Sequence, residues 1–252
     1  MAISVVINTY NASLHLAKVL ETVKGFDEIV ICDMESTDNT LDIAREYGCK
    51  IVTFEKKNYN IVEPARNFEV QSAKNEWVLV VDADELVPNA LKEYLYECIK
   101  DPNCPCGLFI PRKNYTMNMF LSSTYPDYQL RFLKRDTVYW PPIIHVVPEV
   151  NGPVDKIPAN RKDLAFTHIS VTVQAWLERL MKYTENEVKR REGAHVTFGK
   201  LLIQPSFHFF KSYILKGGFR YGKIGFIQAC RSAIYKFVTL CRLLENELGK
   251  KD

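Results

Sequence analysis

The chain has 252 residues, 47% of them hydrophobic and 25% charged, with a formal net charge of +3. That length suits one large α/β domain with a helical appendage, and the composition is that of an ordinary globular protein. No uncharged apolar run reaches 18 residues, so no membrane-spanning helix is expected. Ile3-Ser4-Val5-Val6-Ile7 reads as a short buried strand followed by a turn at Asn8-Thr9-Tyr10-Asn11. Leu16, Val19, Leu20 and Val23 recur at i, i+3, i+4 and i+7, which predicts a helix closing at Gly25. Glu28–Cys32 is a second strand ending at Asp33. Ser36-Thr37-Asp38 offers cap chemistry for a helix through Leu41, Ala44 and Tyr47, stopped by Gly48. Lys50–Phe54 reads as a third strand, Glu63–Lys74 as a third helix, Trp77–Val81 as a fourth strand and Pro88–Ile99 as a fourth helix. This alternation describes βαβ units around a parallel sheet.

After about residue 105 the rhythm changes. Gly107–Pro111, Tyr128–Leu133 and Val138–Trp140 read as strands joined by longer loops. From Ser170 the pattern is helical, with segments Val173–Arg191, Phe198–Leu215 and Phe226–Leu248. The expected division is an α/β domain over residues 1–165 and a helical region over 166–252. Charge divides in the same way. Residues 186–252 hold 13 Lys/Arg against 5 Asp/Glu, whereas 1–185 hold 20 against 25. Seven cysteines form no C-x-x-C pair, and Cys104-Pro105-Cys106 is too tight for a zinc site, so reduced thiols in a cytosolic compartment are expected. The N-terminus runs straight into a strand, without the basic and apolar regions of a signal peptide.

Trp77–Glu85 carries the densest chemistry. Five apolar residues end in Asp82-Ala83-Asp84-Glu85, at the strand end where open α/β sheets bind ligands. If the segment stays extended, alternation points Asp82 and Asp84 the same way, toward one hard cation such as Mg²⁺ or Mn²⁺ holding phosphates. The simpler alternative is an acidic loop capping the next helix. Asp33, also at a strand end, can accept hydrogen bonds from a nucleobase or ribose, while Thr37 or Asp38 serves as a cap.

Together these residues resemble the family 2 glycosyltransferases of the GT-A fold. The shared features are Thr9 and Asn11 in a T-x-N turn, the Asp33–Asp38 segment, Arg66-Asn67 entering a helix, and the Asp82-Ala83-Asp84 strand end. The nearest subgroup acts in lipopolysaccharide-core and capsule assembly and includes proteins resembling beta-1,4-glucosyltransferases. The Trp77–Glu85 string, Pro126-Asp127-Tyr128-Gln129-Leu130-Arg131 and Thr167-His168 match it. The resemblance covers roughly residues 3–190.

It implies a GT-A domain with a C-terminal helical extension, acting as a metal-dependent inverting hexosyltransferase on a nucleotide-sugar donor, UDP-sugars first. The acceptor would be a glycolipid or polysaccharide precursor such as lipopolysaccharide core, with no nucleic-acid partner. Thr9, Asn11, Asp33, Arg66 and Asp82 would then line the donor site, and Asp84 and His168 would hold Mg²⁺ or Mn²⁺. Arg66 could instead form a helix ion pair with Glu63 or Glu69, and a lone His between apolar neighbours could be structural. The base departs from the subgroup's pattern, because Ile144-His145 is followed by Val146-Val147-Pro148 rather than by Glu. Glu149, Asp127 and His145 stay open as catalytic candidates. Basic and aromatic residues interleave from Phe207 to Phe226, as in helices lying on an anionic membrane surface. A cytoplasmic protein, peripheral on the inner face of the cytoplasmic membrane, would fit; a helical subdomain with a solvated basic face is the alternative. Rival readings are a phosphohydrolase built on Asp82 and Asp84, a sugar nucleotidyltransferase, for which the chain lacks a Gly-rich N-terminal loop, and a non-catalytic nucleotide-binding scaffold.

Overall fold

A computed structural model describes residues 1–55, 63–141, 147–170, 172–191 and 193–249. In chain order the first elements are β1 (Ile3–Thr9), α1 (Ser13–Val23), β2 (Glu28–Asp33), α2 (Thr40–Glu46), β3 (Lys50–Thr53), α3 (Glu63–Gln71) and β4 (Trp77–Asp82). There follow β5 (Glu85–Leu86), α4 (Asn89–Cys98), β6 (Gly107–Ile110), β7 (Arg112–Thr116), β8 (Met119–Phe120) and β9 (Gln129–Lys134). Four short strands come next: β10 (Val138–Tyr139), β11 (Glu149–Val150), β12 (Val154–Lys156) and β13 (Phe166–His168). The chain ends in α5 (Val173–Arg190), α6 (Phe198–Phe210) and α7 (Gly222–Leu248). A π-helical turn at Lys211–Leu215 and a 3₁₀ turn at Gly218–Tyr221 lie between the last two helices.

The chain divides into two compact units. The first holds residues 1–113 and 126–169; the second holds 114–125 and 170–252. A seven-stranded sheet in the order β12-β6-β9-β4-β1-β2-β3 organises the first unit. β4, β1, β2 and β3 are parallel, as the βαβ rhythm predicts. β9 runs antiparallel between β4 and β6, so the sheet is mixed. Both faces of the central strands are covered, and this is why they read as unbroken apolar runs. Ile3, Val5 and Ile7 of β1 join Trp77, Leu79 and Val81 of β4 under Leu16, Leu20, Leu91 and Leu95 of α1 and α4. Val6, Val78 and Val80 point the other way, onto Val70 and Ala73 beside α3. The period-2 alternation thus splits one apolar run between two helical layers.

Both glycines expected to end helices have left-handed backbone, Gly25 at φ 86° and Gly48 at φ 66°. In the second unit, α7 begins at Gly222, four residues ahead of the Phe226 expected from the sequence. Val188 of α5, Val196, and Leu240 and Leu243 of α7 form its core. The segment 114–125 is tied to this unit by a Thr116–Gln228 hydrogen bond and by Tyr221, whose phenol meets both the backbone amide and the hydroxyl of Ser122. Among the described residues, no helix is long and apolar enough to cross a membrane.

Candidate functional site

Parallel pairing brings the C-terminal ends of three strands to one edge. Thr9 lies opposite Asp33, and Asn8 opposite Asp82. Asp33 and Asp82 therefore flank β1, about 10 Å apart at the usual strand spacing. This is the edge at which such sheets bind ligands.

Asp33 is 1% exposed and fully engaged. Its carboxylate accepts from Thr9 Oγ1 at 2.9 Å, Ser36 N at 2.9 Å and Ser36 Oγ at 2.6 Å. Asn11, at φ 50°, reaches the same loop. Its amide donates to Ser36 Oγ at 2.9 Å, and its side-chain oxygen accepts from Thr37 N at 2.8 Å. The N-cap of α2 is Asn39 rather than Thr37 or Asp38, and it makes no side-chain cap bond. Asp38, one residue earlier, accepts from Thr40 N at 3.0 Å and from Ser13 N at 3.1 Å, the first amides of α2 and α1. Partial burial pushes the Asp38 carboxyl up, but the hydrogen bonds from Ser13 and Thr40 outweigh it and hold the group at about 2.

The expectation of continuous extended backbone through Asp84 is not met. β4 ends at Asp82, and Ala83-Asp84 forms a turn before β5. Asp82 itself points into a cluster of arginines. Arg66 Nη2 from α3 and Arg131 Nη2 from β9 each meet an Asp82 oxygen at 2.5 Å. Arg112 Nη1 stands 3.9 Å from the same carboxylate. Burial raises the Asp82 carboxyl, but Arg131 and Arg66, with Arg112 behind them, hold it well below the usual carboxylate range. Asp82 is thus an anion inside an arginine clamp.

The clamp extends in both directions. Arg66 Nη1 binds buried Glu69 at 2.9 Å, so the ion pair weighed for this helix exists, but in the interior. Burial pushes the Glu69 carboxyl up more than Arg66 pulls it down. Asn67, beside Arg66, pairs both ways with the Trp140 backbone at 2.8 Å. Arg112 Nη1 binds Glu85 at 2.8 Å, and its Nε and Nη2 bind Asp127 Oδ2 at 2.9 and 2.6 Å. Gln129 Nε2 donates to the other Asp127 oxygen at 3.1 Å.

Asp84 has a different neighbourhood. β5 pairs with β13 so that His168 lies opposite Glu85. Ile169 N donates to the Asp84 carbonyl at 2.9 Å, and His168 Nε2 stands 3.4 Å from Asp84 Oδ2. Both side chains keep some exposure, 16% for Asp84 and 22% for His168. Among the described residues, no three His, Cys, Asp or Glu side chains form a ready-made metal cage. Among the described residues, the protein offers at this point one carboxylate and one imidazole in contact. That donor set suits a divalent ion whose remaining ligands come from phosphate oxygens.

Of the three candidate bases, Asp127 joins the arginine network. Glu149 stands exposed on β11 opposite Tyr139, outside that network. His145 lies outside the described residues. Sequence reasoning missed the roles of Arg112 and Arg131 as partners of these carboxylates. One signal was present: Arg131 interrupts the buried run Leu130–Leu133, where an unpaired charge is costly.

A sequence profile described as Glycosyl transferase family 2 matches residues 4–157. The lipopolysaccharide core biosynthesis glycosyltransferase LpsC of Rhizobium meliloti (strain 1021) is 25% identical over 264 residues, covering 99% of this chain and 94% of that protein. An uncharacterized glycosyltransferase of Rickettsia conorii (strain ATCC VR-613 / Malish 7) is 26% identical over 265 residues, covering 99% and 92%. Among solved structures, S. aureus TarS 1-349 in complex with UDP is similar at a TM-score of 0.52 and 17% identity, covering 100% of this chain and 92% of the other. The mannosyltransferase PcManGT from Pyrobaculum calidifontis, in complex with GDP-Man and Mn2+, gives a TM-score of 0.54 at 14% identity, covering 96% and 86%.

Proposed function

Because this chain belongs to glycosyl transferase family 2, with the GT-A fold that its motifs implied, we propose that it moves a sugar from a nucleotide-sugar donor to a glycolipid or polysaccharide precursor. A UDP-sugar is the first donor to try and lipopolysaccharide core the first acceptor, with inversion at the anomeric carbon. The observation that carries this reading is the Asp84–His168 pair, 3.4 Å apart and partly exposed, beside the clamped Asp82 at the sheet edge. The UDP bound to TarS, the GDP-Man and Mn2+ bound to PcManGT, and the lipopolysaccharide role in LpsC's name support it.

In this reading Asp33, Thr9 and Asn11 fix the two loops that face the nucleoside. Asp84 and His168 would hold Mg²⁺ or Mn²⁺, which offsets the negative charge gathering on the departing diphosphate. Asp82 orients Arg66 and Arg131 rather than touching the ion. Asp127 is the base: as the acceptor oxygen bonds to the anomeric carbon, Asp127 takes its proton and the nucleoside diphosphate leaves with the bonding electrons. Arg112 and Gln129 fix that carboxylate, and Glu149 and His145 are the alternatives at this step.

Transfer measured with a panel of nucleotide sugars and Mn²⁺ tests the reading. Asp84→Ala is expected to lose about 100-fold or more in turnover, the scale of removing one transition-state charge contact. Asp127→Asn should bind donor normally and lose transfer, while Glu149→Gln stays near wild type. Tight nucleotide binding without turnover, across all donors and lipid extracts, would instead establish a non-catalytic scaffold.

A further inference from the structure

The second unit leaves one helix half uncovered. Phe209 of α6 and Tyr213 in the π-helical turn pack on Phe226 of α7, with ring centroids 5.5 to 5.9 Å apart. That contact uses one side of α6. The other side carries Ile203, Phe207 and Phe210, continued by Ile214 and Leu215, all of them exposed, and Leu202 is exposed as well. Ile203 is 69% exposed, and Phe198 at the start of the helix 76%. No side chain of α6 is fully buried. Such a run of large apolar groups facing water is unusual on a soluble surface and marks a contact with something apolar.

Charge identifies the occupant. Residues 193–244 hold eight Lys/Arg and no Asp or Glu. Lys200, Lys211, Lys216, Arg220 and Lys223 are exposed around the apolar row. A second copy of the same face would set these cations against each other, whereas lipid headgroups of negative charge would neutralise them. A long amphipathic helix with Phe and Leu on one side and lysines at the rim fits the boundary between headgroups and acyl chains. We infer that α6 and the turn after it form a docking face for an anionic lipid surface, lying in the interface with Phe207, Phe210 and Ile203 among the acyl chains and the lysines at headgroup level. The inference stands on the second unit alone and does not depend on the sugar-transfer reading.

Flotation of the full-length protein with vesicles tests it. Vesicles containing phosphatidylglycerol should carry the wild-type protein up the gradient at low salt, and vesicles of phosphatidylcholine alone should carry far less. Ile203→Glu/Phe207→Glu is expected to lower partitioning by about tenfold or more, since it removes burial and adds repulsion. Lys211→Glu/Lys216→Glu should abolish the preference for phosphatidylglycerol. That second variant touches no apolar packing, so it decides the matter even if the first one misfolds. The proposal is overturned if the wild-type protein stays in the soluble fraction with anionic vesicles at low salt. It is equally overturned if the lysine variant floats like wild type, or if sedimentation reveals a dimer that Ile203→Glu separates.

Discussion

Removing the charge of Asp82 would leave Arg66 and Arg131 in the interior without the anion between them. Asp82→Asn is therefore expected to cost about 3–5 kcal/mol, the usual penalty for breaking a buried ion pair from one side. Urea unfolding measures it. Asp84→Ala, whose partly exposed carboxylate stands 3.4 Å from the His168 imidazole, should cost only about 1 kcal/mol in the same assay while removing activity. Opposite rankings in stability and turnover would separate the two aspartates, which the D-x-D spacing alone makes look alike. Asp38 gives a pH signature. Its folded-state value of about 2 lies below the unfolded value of about 3.9, so the stability it adds is present above that range. It is lost as pH falls from about 4 to about 2. Asp38→Ala should flatten that portion of the stability–pH curve, measured by denaturant unfolding at a series of pH values. At this scale the acidic residues at strand ends were readable in advance, because a carboxylate ending an apolar run stands out. Their basic partners were not, since Arg112 and Arg131 lie 30 and 49 positions from Asp82 in the sequence and reach it only through the fold.

Among the elements, the parallel strands were legible because burial on both faces leaves continuous apolar runs. β9 was readable as a strand, but its direction was not: alternation has the same period whichever way a strand runs. β5 and β13 are two and three residues long and show no period at all, yet their ladder is what sets His168 beside Asp84. Backbone proximity is similarly silent in sequence. A Cβ at Gly225 would lie 1.8 Å from the Gly218 carbonyl oxygen, so the start of α7 touches the preceding 3₁₀ turn main chain to main chain. Gly225→Ala is expected to destabilise the second unit by about 1–3 kcal/mol, as overpacking does, and thermal unfolding should show it.

For the molecule as a whole, composition marks a change near residue 165, and the charge balance changes sign along the chain. What composition cannot mark is that residues 114–125 belong with the C-terminal helices, because single polar contacts made across about 100 positions secure them. Tyr221→Phe removes the phenol that holds Ser122 and should make this segment the first site of cleavage in limited proteolysis, at a rate above wild type.

The loops at the sheet edge have a thermodynamic consequence. Met34 N, Ser36 N, Thr37 N and Phe54 N are all engaged, by the Thr9 carbonyl, the Asp33 carboxylate, Asn11 and the Asp33 carbonyl. Ordinary surface loops surrender their amide protons to solvent within the fraying regime; these should exchange slowly even in the ligand-free protein. The ordering entropy has then been lost at folding, so a ligand seated on these loops meets a surface already set, and little of its binding enthalpy is consumed in arranging the chain.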